Sequence, residues 1–366
     1  MLKKQHIAPI QSPEPASNAG VSAGLQPDVR RSASIKVGPV SVPNPVVLAP
    51  MSGVSDLPFR RIADGYGAGL VVSEMVASRE LAGERRDVKR RAEGAGLARY
   101  VIQLVGHDAH WMAEGARLAE GLGAHVIDIN MGCPAREVTG RQSGSALMRD
   151  LDYAQTLIEA VVGAVTVPVT LKMRLGWDDK TANAPELARR AEAAGIQLLC
   201  VHARTRCQFF KGTADWARVA PVVDAVSVPV LVNGDILSLA NARLALAQSR
   251  ADGVMIGRGA YGAPWLPGRI AQALAAGAMH VVAPSRDEQA IVAVTHVEAM
   301  LSHYGTYLGL KNARKHVGWY LETSGAAGET VKTWRRRLCT EENAPRVLAG
   351  LAEFYRTLVP VQEVAA

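Results

Sequence analysis

From about residue 36 to 275 the chain alternates short apolar runs, rich in β-branched residues, with longer alanine- and leucine-rich stretches. A short apolar run bounded by turn residues reads as a strand buried on both faces. Eight such runs occur: Val46–Ala49, Leu70–Ser73, Val101–Leu104, Val126–Ile129, Val169–Lys172, Leu198–Val201, Val230–Val232 and Gly253–Ile256. Helical stretches such as Trp111 to Leu122 and Pro185 to Ala194 lie between them. Eight strands alternating with helices over this length predict an α/β chain folded as a (β/α)8 TIM barrel, with a doubly wound open sheet as the alternative.

Beyond residue 285 the strand signals stop. Ile291, Val294, Val297, Met300 and Leu301 recur at helical spacing, and further helices are expected through Lys311–Thr323, Thr330–Arg337 and Ala344–Thr357. A division follows: an N-terminal extension at 1–35, a barrel at 36–280, and an all-helical domain at 285–366. Residues 1–35 are rich in Pro, Ser, Ala, Gly and Gln without periodicity, and a disordered segment is expected there.

Composition sharpens this picture in three respects. With 366 residues, 48% of them hydrophobic, the chain can bury a large core, and 34 glycines against 5% aromatics suit a loop-rich α/β enzyme. A net charge of +7 and a pI of about 9.3 favour a polyanionic partner such as nucleic acid. Four cysteines match neither a zinc pattern nor a disulfide framework, so no metal and a reducing cytoplasm are expected. No apolar run is long enough to span a membrane, and Lys3-Lys4 is followed by no apolar signal core.

The candidate chemistry lies at the strand ends, where a barrel of this type builds its site. Nearly every strand ends in a polar or glycine-rich signature: Pro50-Met51-Ser52, Ser73-Glu74, Gln103, Asn130 to Pro134, Lys172-Met173-Arg174, His202-Ala203-Arg204, Asn233-Gly234-Asp235 and Gly257-Arg258-Gly259. Loops after strands seven and eight are the usual phosphate site, where Gly234 and Gly257 let backbone N–H groups approach an anion and Arg258 supplies a two-donor fork. Gln103 offers a donor and an acceptor together, suited to the edge of a flavin's pyrimidine ring, and Lys172 can stabilise negative charge there. His202 is placed either against flavin phosphate or substrate, or as a structural histidine. Cys133, beside glycine and proline just past a strand, sits on a fixed loop from which its thiol can reach a substrate.

These motifs carry a family resemblance. Leu48-Ala49-Pro50-Met51, Asp56-Leu57-Pro58-Phe59-Arg60, Asn130-Met131-Gly132-Cys133-Pro134, Gly144-Ser145-Ala146-Leu147 and Lys172-Met173-Arg174 resemble the tRNA-dihydrouridine synthases. So do His202-Ala203-Arg204-Thr205-Arg206, Asn233-Gly234-Asp235-Ile236 and Gly257-Arg258-Gly259, while Ala313 to Tyr320, with Arg314-Lys315-His316, looks like the bacterial B branch (DusB). The resemblance runs from about residue 36 to the C-terminus.

It implies an FMN-dependent, NADPH-using enzyme that reduces a D-loop uridine of tRNA to 5,6-dihydrouridine. Cys133 would protonate C5 while reduced FMN delivers hydride to C6. Pro50, Met51, Ser52, Gln103, Lys172, His202, Asn233, Gly234, Asp235, Gly257 and Arg258 would hold FMN. Asn130 and Arg174 would contact the uridine, and Arg314 and Lys315 the tRNA. The helical domain would bind RNA, a monomer is expected, and Glu137 replaces a lysine common in the family. A thiol with pKa near 8.5 is mostly protonated at neutral pH and needs little tuning to serve as an acid. The basic clusters Arg85-Arg86/Lys89-Arg90-Arg91, Lys311/Arg314/Lys315 and Lys332/Arg335-Arg336-Arg337, the last beside Trp334, fit an RNA substrate. Competing readings are an FMN barrel for a small molecule, such as a dihydroorotate or dihydropyrimidine dehydrogenase, and a non-catalytic tRNA chaperone or regulator.

Overall fold

The computed structural model describes residues 34–358. Eight parallel strands close into a barrel in sequential order, so each pairs with its neighbours in the chain. They are β3 (Val46–Leu48), β4 (Leu70–Ala77), β5 (Tyr100–Val105), β6 (Val126–Met131), β7 (Val169–Arg174), β8 (Leu199–His202), β9 (Val230–Asn233) and β10 (Gly253–Ile256), and β10 closes onto β3. All eight expected strands are present, and the closed barrel replaces the open-sheet alternative.

Two short strands precede them, β1 (Ile35–Val37) and β2 (Val40–Val42), an antiparallel hairpin turning at Gly38 with φ +55°. Three-residue strands give too short an alternation to be read from sequence. Ile35, Val37 and Val42 pack with Val47, Val72, Val101, Val126, Cys200, Leu231 and Met255, so the hairpin joins the apolar lower filling of the barrel interior. The expected extension at 1–35 lies, up to residue 33, outside the described residues, as do residues 359–366.

Strand period two separates two faces. Leu48, Val71, Ile102, Ile127, Leu171, Val201, Val232 and Ile256 point outward into the layer of helices, which carries the largest core. The inward positions start apolar and become polar towards the C-terminal ends: Val101 then Gln103; Val126, Asp128, Asn130; Thr170, Lys172, Arg174; Cys200, His202; Leu231, Asn233. Register sets them side by side, pairing Gln103 with Asp128, Asp128 with Thr170, Asn130 with Lys172, Arg174 with His202, and His202 with Asn233.

Helix starts follow capping chemistry. Asp56 accepts from the N–H of Phe59, Asp108 from Trp111 and Asp150 from Tyr153. The cap at Asp108 starts the Ala109–Gly121 helix two residues before the expected Trp111.

Four helices follow the barrel: Arg286–Tyr304, opened by a Ser285/Glu288 capping box, then Thr306–Thr323, Gly328–Thr340 and Ala344–Thr357. They share a core of Val297, Met300, Val317, Tyr320, Leu351 and Phe354, which takes in Trp265 and packs Ile62 and Tyr66 of the barrel side. Ile291, expected on the apolar face, is instead 61% exposed; Val292 and His296 take the buried positions. The helix is broad-faced because it meets both the barrel and the other tail helices, so a single apolar stripe misplaces its core. Among the described residues no helix is long and apolar enough to cross a membrane.

Candidate active site

The inward polar layer forms one hydrogen-bonded relay. Thr170 Oγ1 donates to Asp128 Oδ1 at 2.6 Å, and Gln103 Nε2 donates to Asp128 Oδ2 at 2.6 Å. Gln103 Oε1 accepts from Asn130 Nδ2 at 2.8 Å, and Asn130 Oδ1 accepts from the N–H groups of Gly132 (3.2 Å) and Cys133 (3.0 Å). The sense of both amides is fixed from either end: a carboxylate accepts, and backbone N–H groups only donate. Burial pushes the Asp128 carboxyl up, against the hydrogen bonds of Thr170 and Gln103 and the Lys172 charge. The relay runs from the barrel interior to the backbone of Cys133.

Three further contacts fix the cysteine loop. Ser145 donates from its hydroxyl (2.8 Å) and its backbone N–H (3.1 Å) to the Cys133 carbonyl. Gly144, with φ +60°, passes so close that an added Cβ would stand 2.8 Å from that carbonyl. Arg174 Nε donates to the Gly132 carbonyl at 2.7 Å, while its Nη1 reaches the carbonyls of Thr205 and Phe209, each at 2.9 Å. Burial pushes the Cys133 thiol up, opposed by the Ala135 backbone and the charges of Arg174 and Lys172. A thiol so placed keeps its proton at neutral pH and can donate it.

Beside this loop begins a cationic rim. Lys172 is buried, its Nζ 3.3 Å from Asn233 Oδ1, and burial lowers its pKa against the opposing influence of Cys200 and Asp128. Asn233 Nδ2 in turn donates to the Met255 carbonyl at 2.8 Å. Burial, followed by the charges of Arg174, Lys172, Arg204 and Arg258, holds His202 far below the usual imidazole range, so it is neutral.

Gly234, with φ +120°, lets the chain pass His202: an added Cβ would stand 3.0 Å from its ring. Asp235 accepts from Arg204 at 3.0 and 2.5 Å and from Arg258 at 2.8 Å. Burial pushes the Asp235 carboxyl up, but the Arg204 and Ala214 hydrogen bonds and both arginine charges hold it below its ordinary value. Arg258 is thereby aimed across the β9 and β10 loops while 39% of its side chain stays exposed. At Gly257 an added Cβ would stand 3.7 Å from Met51 Sδ, so the β3 and β10 loops meet here. The Met51 N–H is held by Ser55 Oγ at 2.8 Å, Pro50 is half-buried and Ser52 exposed.

The Thr306–Thr323 helix closes one side of the mouth. Lys315 Nζ lies 3.5 Å from where a Gly53 Cβ would be, facing Asp56 and Glu74, and burial lowers its pKa against those two carboxylates. Tyr304 donates to Asp56 Oδ2 at 3.0 Å. Arg314 lies instead beside the Cys339 thiol of the Gly328–Thr340 helix. Thus Cys133, Asn130, Arg174, Gln103, Lys172, His202, Asn233, Gly234, Asp235, Gly257, Arg258, the Pro50–Ser52 loop and Lys315 converge, and Arg314 does not.

Five members of the basic clusters carry acidic partners: Arg85 with Asp87, Lys89 with Glu84, Lys332 with Glu329, Arg335 with Glu322 and Arg337 with Glu353. Such exposed pairs are worth about 0–1 kcal/mol and exchange readily.

Asp128, Thr170 and Arg204 were not among the expected site residues. The period-two continuation of the inward positions would have found the first two. Arg204 stood in the His202-Ala203-Arg204 strand end without a role, because spacing does not show that its side chain turns onto Asp235 and the Lys211 and Gly212 carbonyls.

A family model described as dihydrouridine synthase (Dus) matches residues 47–355. The chain belongs to the dihydrouridine synthase family. With that family it is a flavin-dependent oxidoreductase. It is 54% identical over 283 residues to the probable tRNA-dihydrouridine synthase of Rhizobium leguminosarum bv. phaseoli, covering 77% of this chain and 87% of that protein. The corresponding protein of Rhodobacter capsulatus is 56% identical over 285 residues, 77% of this chain and 87% of that one. The tRNA-dihydrouridine synthase B of Pseudomonas putida is 41% identical over 323 residues, 88% of this chain and 94% of that one. Among solved structures, a 2-naphthoyl-CoA reductase superposes with TM-score 0.52 at 15% identity, over 67% of this chain and 52% of its own. A histamine dehydrogenase from Rhizobium sp. 4-9 does so with TM-score 0.50 at 14% identity, over 90% and 64%. These two likenesses concern the fold alone.

Proposed function

We propose that this chain is a tRNA-dihydrouridine synthase that binds FMN at the barrel mouth, takes electrons from NADPH, and reduces the 5,6 double bond of a D-loop uridine. The observation that carries this reading is the Cys133 thiol, kept protonated and pinned by Asn130, Ser145 and Arg174 on the rim that also bears Lys172, His202 and Arg258.

The donor set fits FMN. Arg258 and the β9 and β10 glycine loops suit a phosphate, neutral His202 beside them can donate or accept, and buried Lys172 suits the electron-rich edge of an isoalloxazine. Gln103 spends one amide hydrogen on Asp128 and accepts from Asn130, which leaves a second hydrogen for the ring edge. Bound flavin supplies the hydride that goes to C6 of the uracil.

Cys133 Sγ–H then gives its proton to C5, where charge has developed. Arg174, aligned by three backbone carbonyls, orients the loop that carries the thiol and lends positive potential to the same place. The electron-rich C4 oxygen is met by the local field of Arg174 and Lys172. Lys315 and the exchangeable basic clusters of the helical region, which we assign to RNA binding, support a tRNA substrate over a free nucleoside.

The test is Cys133→Ala assayed on unmodified tRNA with FMN and NADPH, by mass spectrometry of the nucleosides. The variant should bind flavin and oxidise NADPH yet form dihydrouridine, a two-dalton gain on uridine, about 10²–10⁴-fold more slowly. Wild-type rates in the variant would overturn the proton assignment. Equal turnover of free uridine and tRNA by the native enzyme would overturn the RNA assignment.

A further inference from the structure

We infer that Phe210 is a stacking platform for a nucleobase of the RNA adjacent to the one being reduced. The inference rests on the proposed function and extends it to a contact with a neighbouring nucleotide. Phe210 is 49% exposed and Phe209 36%, two large apolar rings at the rim of the catalytic mouth. The Phe210 ring lies between the two sides of the site: Arg174 Cζ is 5.5 Å from its centroid and Arg258 Cζ 5.9 Å. The first of these arginines holds the Cys133 loop and the second the anion loops, so a base on this ring would neighbour whatever Cys133 serves.

The loop is rigid where exposed rings are usually mobile. Arg174 grips the carbonyls of Thr205 and Phe209, and Arg204 those of Lys211 (3.2 Å) and Gly212 (2.7 Å). Thr205 N–H donates to Gln208 Oε1 at 2.7 Å. Phe209 is held at φ +56°, a left-handed conformation unfavourable for a bulky side chain and typical of positions retained for function. The Phe209 ring meets Phe210 edge-on at 5.0 Å and 85°, which fixes the orientation of the platform.

A flat, half-exposed aromatic ring held in one orientation beside the catalytic mouth is what a stacked base requires. Every base has a π-face, so the contact needs no hydrogen-bond readout. A substrate small enough to sit wholly within the barrel would have no part left to cover a ring on the rim. The occupant is therefore a base of a polynucleotide.

The experiment uses the flavin-loaded full chain with Phe210→Leu and Phe210→Trp. Leucine keeps apolar bulk without a π-face; tryptophan keeps the face. Flavin content, tRNA affinity by fluorescence titration, and KM and kcat for tRNA are measured. Leucine should weaken tRNA binding and raise KM about tenfold, with flavin content and kcat within twofold, and tryptophan should restore native values. Native affinity in the leucine variant overturns the platform. So does a loss of flavin, which would put the ring against the cofactor, or a tryptophan variant as poor as leucine. Binding is read without turnover, so a native enzyme that bound tRNA but made no dihydrouridine would sink the proposed reaction and leave the platform to be judged on affinity.

Discussion

Replacing Asp128 by alanine should loosen the proton-donating loop from inside the barrel. Asp128 is 4% exposed and accepts from both Thr170 and Gln103. Alanine leaves a buried hydroxyl and a buried amide without an acceptor, at about 1–3 kcal/mol each, or roughly 2–6 kcal/mol together. For a chain of this size that corresponds to a fall in Tm of roughly 4–12 °C, taking about 2 °C per kcal/mol. Gln103 then loses the carboxylate that orients it. Asn130 loses its fixed partner in turn, and the N–H groups of Gly132 and Cys133 lose their aligned acceptor. A displacement of about 1 Å at a reacting group can lower a rate about 100-fold.

Asparagine has the same shape. Its oxygen can accept from Gln103 while its amide donates to the Thr170 hydroxyl, so Asp128→Asn should stay within about 1 kcal/mol of the native protein, a typical net value for a single hydrogen bond. The assay pairs urea or thermal unfolding of the flavin-loaded protein with dihydrouridine formation on tRNA. Expected are a destabilised, roughly 100-fold slower alanine variant and a near-native asparagine variant. If alanine were as stable and active as the native residue, the relay would not be what holds the cysteine loop.

Gly144→Ala should slow dihydrouridine formation at least tenfold with flavin retained, because its Cβ would press within 2.8 Å of both the Cys133 carbonyl and Val138 Cγ1 at a φ of +60°; an unaffected rate would contradict the tight passage. Asp56 predicts a pH effect: burial, with Glu74 adding, pushes its carboxyl up to about 6 against the Phe59 N–H, Tyr304 and Lys315. A raised carboxyl stabilises the fold fully below the unfolded value near 3.8, and this contribution is lost as pH rises through about 6. Asp56→Asn can keep the Phe59 cap and the Tyr304 contact but lacks that loss. Its stability relative to the native protein should therefore rise by up to about 3 kcal/mol between pH 4 and pH 7 in denaturant titrations. His296, lowered to about 3 by burial and then by Lys315, runs the opposite way but is common to both proteins. A difference that did not change with pH would show that Asp56 titrates normally.

How much of the site was legible varies from residue to residue. Cys133 could be singled out because glycine and proline after a strand fix the loop that carries it, and because polar groups end nearly every other strand. Arg258 and Gly234 stood out because barrel loops after the last strands repeat a known anion-binding geometry. Arg314 and Lys315 could not be told apart: they are adjacent on one helix, and only the docking of that helix turns Lys315 to Gly53 and leaves Arg314 beside Cys339. The basic clusters read as open RNA-binding charge, yet Arg335 and Arg337 are ion-paired to Glu322 and Glu353, because those acidic partners come from other helices.

The amino-acid sequence by itself determined the eight strands, their alternation with helices and the helical tail. Those features depend on local periodicity and on turn and cap residues within a few positions. It also marked the chemical groups at the strand ends. The tertiary structure decided which of these groups meet. Barrel closure and strand register place Thr170, Asp128, Gln103 and Asn130 in one buried relay that ends on the cysteine loop. They draw Arg204 and Arg258 onto one carboxylate. Such pairings join residues 25 to 42 positions apart along the relay, and low-dielectric burial then sets their protonation. Neither property is carried by any short stretch of chain, because distance and desolvation exist only once the barrel has closed.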